Sequence, residues 1–225
     1  MKKGFVFLAG LFLIQSSVFA LDDASTIMFL SYSPTSSKPT VQEEYFREEA
    51  NKIMAKLLIS LYLNNVRTLS VIDWKIGDYS NYNLDLGMFG KGKVHKEATK
   101  EEGNAIWVTT DAKIPSGNQK IEVLISRDDG KILKLLVNGK EEKYQDHDIE
   151  VISRDESSVT VPAGTFKAIH LKIKDKTENM DIESWLNFKD IVLEGMAKSI
   201  IKKNAFLTIT TELTDFGRKG FELTP

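Results

Sequence analysis

The three histidines are the side chains of this sequence best suited to acid–base or metal chemistry. They are His95, His147 and His170, and His147 lies between two carboxylates in Asp146-His147-Asp148. Neighbouring residues of a strand point to opposite faces, so these three side chains cannot readily converge on one metal ion. We interpret this run as the cap of a turn before a strand that begins at Ile149. His170 alternates with apolar residues and is expected to face solvent.

Other catalytic patterns are missing from the sequence. It contains no G-x-S-x-G, no phosphate-binding loop and no dinucleotide fingerprint. The absence of cysteine excludes thiol catalysis, disulfides and cysteine-based metal sites. Paired carboxylates such as Glu43-Glu44, Glu48-Glu49 and Glu101-Glu102 lie in charged runs, which is typical of solvated faces. The sequence therefore predicts no catalytic residue, no metal ligand and no cofactor.

The first twenty residues have the three-part pattern of a secretory signal peptide. Lys2 and Lys3 precede an apolar run from Phe5 to Ile14, and the stretch ends in Val18-Phe19-Ala20. The apolar run is shorter than the roughly 20 residues that a membrane-spanning helix needs. Cleavage after Ala20 would leave residues 21–225 as a single domain that does not span a membrane, in the periplasm or, alternatively, secreted.

Charge narrows the range of partners. Removal of the two lysines of the leader changes the formal net charge from −2 to −4. This mild negative excess argues against nucleic acid, or an anionic membrane surface, as the main partner.

One long amphipathic helix is predicted near the N-terminus, from 41 to 63. A lead-in segment, 21–39, is rich in serine and proline and precedes it. Thr40 and Glu43 have the spacing of a capping box, and apolar residues then recur every three or four positions. The last turns, KLLISLYL, are apolar nearly all round and include Leu57, Leu58 and Leu61. That end of the helix must be buried against a large surface.

The hydrophobic period changes to two beyond the helix. Alternating runs include Tyr82 to Met88, Ile121 to Ile125, Ile169 to Ile173 and Leu207 to Leu213. Turn signals such as Asp128-Asp129-Gly130 separate them. Eight or more strands joined by short turns predict an antiparallel meander over 66–216. The fold class is therefore α+β with strands dominant.

The stretch WLNFKDIVLEGMAKSIIKKN fits two structures. Its apolar residues match a second amphipathic helix. They also match a loop followed by a strand from about Met196 to Ile201 that pairs with 205–215. We favour the strand.

The sequence VPAGTF, Val161 to Phe166, predicts a corner between two strands. Proline cannot donate to a ladder, and Gly164 can adopt angles that are closed to other residues. Strict alternation would place Phe166 on the face opposite Ile169 unless a bulge shifts the register.

This corner and two other motifs resemble a family of exported bacterial proteins of unknown function. Its pattern has a W-x-x-G-D-x-x-x-Y stretch, V-P-A-G-T-F, and a tryptophan followed by G-x-x-K. Here these are Trp74, Gly77, Asp78 and Tyr82, then Val161 to Lys167, then Trp185, Gly195 and Lys198. The family is related in fold to the periplasmic lipoprotein-carrier (LolA-like) superfamily. The resemblance implies a curved antiparallel sheet, an open half-barrel whose concave face holds a hydrophobic guest or a covering helix.

The resemblance and the aromatic residues lead to three functional hypotheses. The first is a non-enzymatic binding or carrier module for a lipid, an acyl chain or a lipid-modified partner. Its lining would include Leu57, Leu58, Leu61, Trp74, Tyr82, Trp107, Phe166 and Trp185, although filling a core is the default role of the aromatic residues among them. The second is a structural or interaction protein of the envelope whose cavity is filled by its own helix. An exported hydrolase is the third.

Overall fold

In the computed structural model, the residues described are 72–144, 146–203 and 207–219. They form eleven β-strands and one short 3-10 helix, Gly87–Phe89. The strands are β1 Asp78–Asp85, β2 Lys91–Glu102, β3 Ala105–Ile114, β4 Gly117–Ser126, β5 Ile132–Val137, β6 Lys140–Glu142, β7 Ile149–Val161, β8 Gly164–Asp175, β9 Met180–Leu186, β10 Met196–Lys202 and β11 Thr208–Arg218. The helix predicted over 41–63 and the leader lie outside these residues.

All eleven strands belong to one antiparallel sheet in the order β6-β5-β4-β3-β2-β1-β11-β10-β9-β8-β7. The chain therefore runs outward from β1 to one edge, passes to the other edge, and returns strand by strand to β11 beside β1. Only residues 143–148 connect the two edge strands β6 and β7.

The length of this connection requires the sheet to curl. Ten strand spacings of about 4.8 Å would make a flat sheet about 48 Å wide. A chain of six linking residues spans at most about 25 Å when fully extended. The two edges must therefore come much closer together than in a flat sheet, although they do not pair with each other.

The VPAGTF corner brings β7 against the middle of the sheet. Val161 pairs with Gly164, so the hairpin loop is Pro162-Ala163, and the Ala163 N–H donates to the carbonyl oxygen of Leu213 at 3.0 Å. This carbonyl lies at an irregularity of β11, where Tyr82 faces Leu213 but Asn81 faces Asp215. The corner thus caps the curled half of the sheet that contains β7 to β11.

One face of the sheet is buried and the other is largely polar. On the buried face, an apolar row crosses four adjacent strands through Ile209, Ile201, Ile182 and Ile173. A second row crosses the other half of the sheet through Ala98, Val108, Val123 and Leu135. The residues of these rows are the apolar positions of the alternating pattern that the sequence shows.

The structure confirms the strand-dominated antiparallel sheet. It also decides between the helix and the strand that the sequence allowed within residues 185–204. Met196–Lys202 is a strand and pairs with β11, as favoured. The strand expected at Tyr82 to Met88 was misplaced, because it ends at Asp85 and the 3-10 helix follows with Met88 exposed. The strand after the corner begins at Gly164, inside the VPAGTF stretch.

Candidate functional site

A buried ion pair lies in the centre of the apolar face. Lys96 of β2 has a side chain that is 4% exposed, and its Nζ contacts Oε1 of the fully buried Glu194. In the sheet, Lys96 lies between Ser80 of β1 and Thr110 of β3, so a row of polar side chains crosses three strands. Moving two charges out of water is costly, so such a pair needs close geometry to exist at all.

The loop from 187 to 195 places Glu194 in this position. Asn187 folds the start of the loop, since its Oδ1 accepts the N–H groups of Lys189 and Asp190. At the end of the loop Gly195 has φ +70°, and a Cβ there would lie 2.8 Å from the ring of Phe188. Trp74 holds the loop from the side, with its indole N–H 2.8 Å from the carbonyl oxygen of Leu193.

Three buried oxygen atoms lie at the ion pair. Glu194 Oε2 has no hydrogen-bond partner in the described part of the chain, and the Tyr82 and Ser80 hydroxyls interact with each other without forming a well-aligned hydrogen bond. Lys96 Nζ lies 5.7 Å from the centre of the Tyr82 ring. Burial raises the pKa of the Tyr82 phenol well above its ordinary value, and the charge of Glu194 acts in the same direction. Tyr82 is therefore a neutral donor at physiological pH.

A second row of hydroxyls crosses the other half of the sheet and meets β1 at Leu84, four residues along the strand from Ser80. Ser184, Ser199 and Thr211 are neighbours on β9, β10 and β11, and the two serine hydroxyls are 3.3 Å apart. The Thr211 hydroxyl is also buried without a partner among the described residues. Unpartnered polar atoms in an apolar interior cost free energy. We take the group around Lys96, Glu194, Ser80 and Tyr82, where such atoms adjoin a buried ion pair, as the candidate binding site.

The residues predicted to line a ligand do not share one face. Tyr82 lies on the buried face, and Trp74 is buried against the loop that carries Glu194. Trp107 and Trp185 lie on the opposite face, at strand positions that alternate with the buried ones. Phe166 packs edge to face on Phe216 at 5.9 Å. Leu57, Leu58 and Leu61 lie outside the described residues.

Each histidine is paired with a carboxylate, and none of these partners was predicted. His147 Nδ1 lies 2.6 Å from the fully buried Asp175, which is 28 residues further along the chain. His95 bridges Asn81 and Glu97. His170 lies beside Trp185 on the face opposite the buried positions, as its alternation with apolar residues predicts. It is half-buried there, because it stacks on Trp185 at 4.2 Å and pairs with Glu183.

The sequence analysis did not identify Lys96 and Glu194 as candidate site residues, although each is a charged residue in a stretch of mainly apolar positions. Lys96 lies two residues from both Val94 and Ala98, so alternation along the strand places its side chain on the same buried face as theirs. Glu194 is the one charge between Ile191 and Ala197. A charge at an apolar position indicates a buried pair, but the pattern cannot say which two charges meet.

Comparison with known proteins gives weak structural likenesses. No protein-family model matches the chain, and no curated protein matches it in sequence. A hypothetical protein of Chlamydia trachomatis, CT021, is similar over 67% of this chain and 91% of its own, with 12% identity and a TM-score of 0.44. A Bacteroides fragilis protein that is predicted to be exported and has a YmcC-like fold is similar over 66% of this chain and 99% of its own, with 12% identity and a TM-score of 0.37. None of the helices in the described residues has the length and apolar character needed to cross a membrane.

Proposed function

We propose that this protein is a non-enzymatic binding module of the bacterial periplasm, exported by its leader. Its cargo is a hydrophobic group, either a lipid or acyl chain or the lipid part of a modified protein. The apolar face of the sheet contacts the cargo, as the resemblance of its motifs to an exported family with a fold related to the lipoprotein-carrier superfamily implies. No catalytic step is part of the proposal.

The observation that supports this function is the pattern of the buried face. Two apolar rows flank a polar centre that contains Lys96, Glu194 and the hydroxyl of Tyr82. An amphipathic ligand has the same division, with apolar chains and a polar head that accepts or donates hydrogen bonds. The hydroxyls of Ser80 and Tyr82 and the second oxygen of Glu194 would contact such a head.

A structural or interaction protein of the envelope is the second candidate, and one observation favours it. The apolar residues of this face are already shielded, with Ile106 and Ala98 fully buried and Val108 and Ala112 each 1% exposed. A guest could reach them only if part of the protein moves away from the sheet. In a structural protein this face would be permanent core.

The substitution Ala112→Phe separates the two candidates. Ala112 lies on the buried face between Val94 and Gln119. If a guest enters here when the covering part of the protein moves away, the added ring displaces that same part, takes the place of guest atoms, and leaves the stability unchanged. If the space is closed core, overpacking lowers the free energy of unfolding by about 1–3 kcal/mol.

The experiment is native mass spectrometry and urea unfolding of the full chain purified from a periplasmic extract. We expect wild-type protein to carry a lipid-sized mass that organic extraction removes, and Ala112→Phe to lose that mass without losing stability. Lys140→Phe, at an exposed position of β6, is the matched control and should change neither. Wild-type protein without bound mass, together with a destabilised Ala112→Phe, would refute the carrier and leave the structural role.

A further inference from the structure

The polar face of the sheet carries a second feature that the hydrophobic-cargo function does not use. Two adjoining cavities of about 670 and 500 Å³ lie over β1, β2 and β3. Asn83, Lys93 and Lys113 line both of them. These three side chains are neighbours in one cross-strand row, because Lys93 pairs with Asn83 on one side and with Lys113 on the other.

The two lysines place like charges directly opposite each other. Such pairs on neighbouring strands are destabilising. The residue beyond Lys113 in the same row is Asn118, so the row offers no carboxylate next to either lysine. A fold that needed only a polar surface here would gain stability from an acid at one of the two positions.

Among the described residues, none of the carboxylates that line the cavities forms an ion pair with Lys93 or Lys113, although Glu212 continues their row beyond Asn83. Glu212 accepts a hydrogen bond from Lys198 at 2.7 Å, and Asp85 lies 3.7 Å from Lys91. Asp111 lies two residues before Lys113 and opposite His95. Within the described part of the chain, neither Lys93 nor Lys113 forms an ion pair, and the Asn83 amide forms no side-chain hydrogen bond.

We propose that Lys93, Lys113 and Asn83 form a binding site for a phosphate group. Two ammonium groups and an amide offer hydrogen bonds to phosphate oxygens, and those to the ammonium groups are charge-assisted. A phosphate between the lysines also offsets their mutual repulsion. The uncharged neighbours Asn81, Thr210 and Thr214 leave room for the rest of a phosphorylated molecule. The phosphate belongs either to a soluble molecule or to a phospholipid head group.

The test compares thermal unfolding of the full chain in inorganic phosphate and in sodium chloride at equal ionic strength. A ligand that binds the native state raises the melting temperature. We expect phosphate to raise that of wild-type protein, and Lys93→Gln and Lys113→Gln to weaken phosphate binding about tenfold or more. Lys167→Gln removes an exposed strand lysine away from the site and should respond as wild type does.

Thermal unfolding of each variant in sodium chloride alone shows whether the variant folds before its response to phosphate is interpreted. Removal of one of two opposed charges should leave Lys93→Gln and Lys113→Gln at least as stable as wild type. An equal response of all four proteins to phosphate would show a general salt effect and overturn the site.

Vesicles distinguish the two sources of phosphate. Cosedimentation with phosphatidylglycerol vesicles, absent with phosphatidylcholine and lost in Lys93→Gln, would assign the site to a lipid head group. A lysine-dependent response to inorganic phosphate without vesicle binding would assign it to a soluble molecule. If no lysine-dependent effect occurs with phosphate or with vesicles, the proposal is wrong.

Discussion

At the scale of the residue, Lys96 and Glu194 place an ion pair within a buried face that is otherwise mainly apolar. The pair joins the sheet to the loop between β9 and β10, over 98 residues of sequence. Because both side chains are almost fully buried, the Glu194 charge depends on Lys96 for compensation. The pair therefore fixes the position of the loop more than it adds to stability.

The expected result is that Lys96→Met lowers the free energy of unfolding by about 3–5 kcal/mol, because it leaves Glu194 charged and unpaired. The double variant Lys96→Met/Glu194→Leu should recover most of this loss, since an apolar pair of similar volume needs no compensation. Urea unfolding of the two single variants, the double variant and wild type measures the coupling.

The matched control is Lys198→Met, which breaks a more exposed pair with Glu212. Solvent screens such pairs, so the expected loss is below about 1 kcal/mol. If Lys96→Met cost no more than Lys198→Met, the buried pair would not hold the loop.

At the scale of an element, the β7–β8 corner shows why the sequence places proline and glycine two residues apart. Pro162 occupies a loop position that has no ladder hydrogen bond to donate. Ala163 then donates to Leu213, and Gly164 begins the next strand with φ +139°. The corner both reverses the chain and attaches β7 to the centre of the sheet.

Gly164→Val is expected to destabilise the protein by about 1–3 kcal/mol through backbone strain. A Cβ at this position would meet the Phe166 ring only at 3.7 Å, an ordinary contact, so crowding is not the cause. Lys167→Ala, three residues further on and exposed, should be nearly silent. Equal denaturation midpoints for wild type and Gly164→Val would contradict this explanation of the corner.

At the scale of the whole molecule, the curl of the sheet follows from connectivity. Residues 143–148 join opposite edges of an eleven-stranded sheet, and His147 anchors this connection to the buried Asp175. The apolar rows of the buried face are also shielded most completely when the sheet is curved. The curl of the sheet can therefore be maintained by the short connection between its edges, by the packing of its buried face, or by both.

Insertion of six glycine and serine residues between Lys143 and Tyr144 tests which cause dominates. If packing sets the curl, the loss of unfolding free energy should be about 0.6 kcal/mol, the cost of doubling a loop. The radius of gyration measured by small-angle scattering should then increase only by the small amount that six extra residues add. A loss above about 2 kcal/mol with an expanded radius would show that the connection holds the sheet curled.

The sequence predicted much of the sheet because its evidence is local. Alternation at Ile121 to Ile125 and Ile169 to Ile173 fixes which side chains share a face, and Asp-Gly and Asn-Gly pairs fix turns. The same reasoning misplaced the end of β1, because Leu86 and Met88 continue the alternation although the backbone turns into a 3-10 helix.

The alternating pattern by itself determined an antiparallel, strand-dominated chain with a corner at VPAGTF, because side-chain direction in a strand depends only on neighbouring residues. Only the tertiary structure decided that β1 lies beside β11, that Ala163 bonds to Leu213, and that Lys96 meets Glu194. It also decided that Trp107 and Trp185 lie on the face opposite Tyr82. Such pairings join residues far apart in sequence, and they depend on the free energy of the whole packed sheet, which no local pattern encodes.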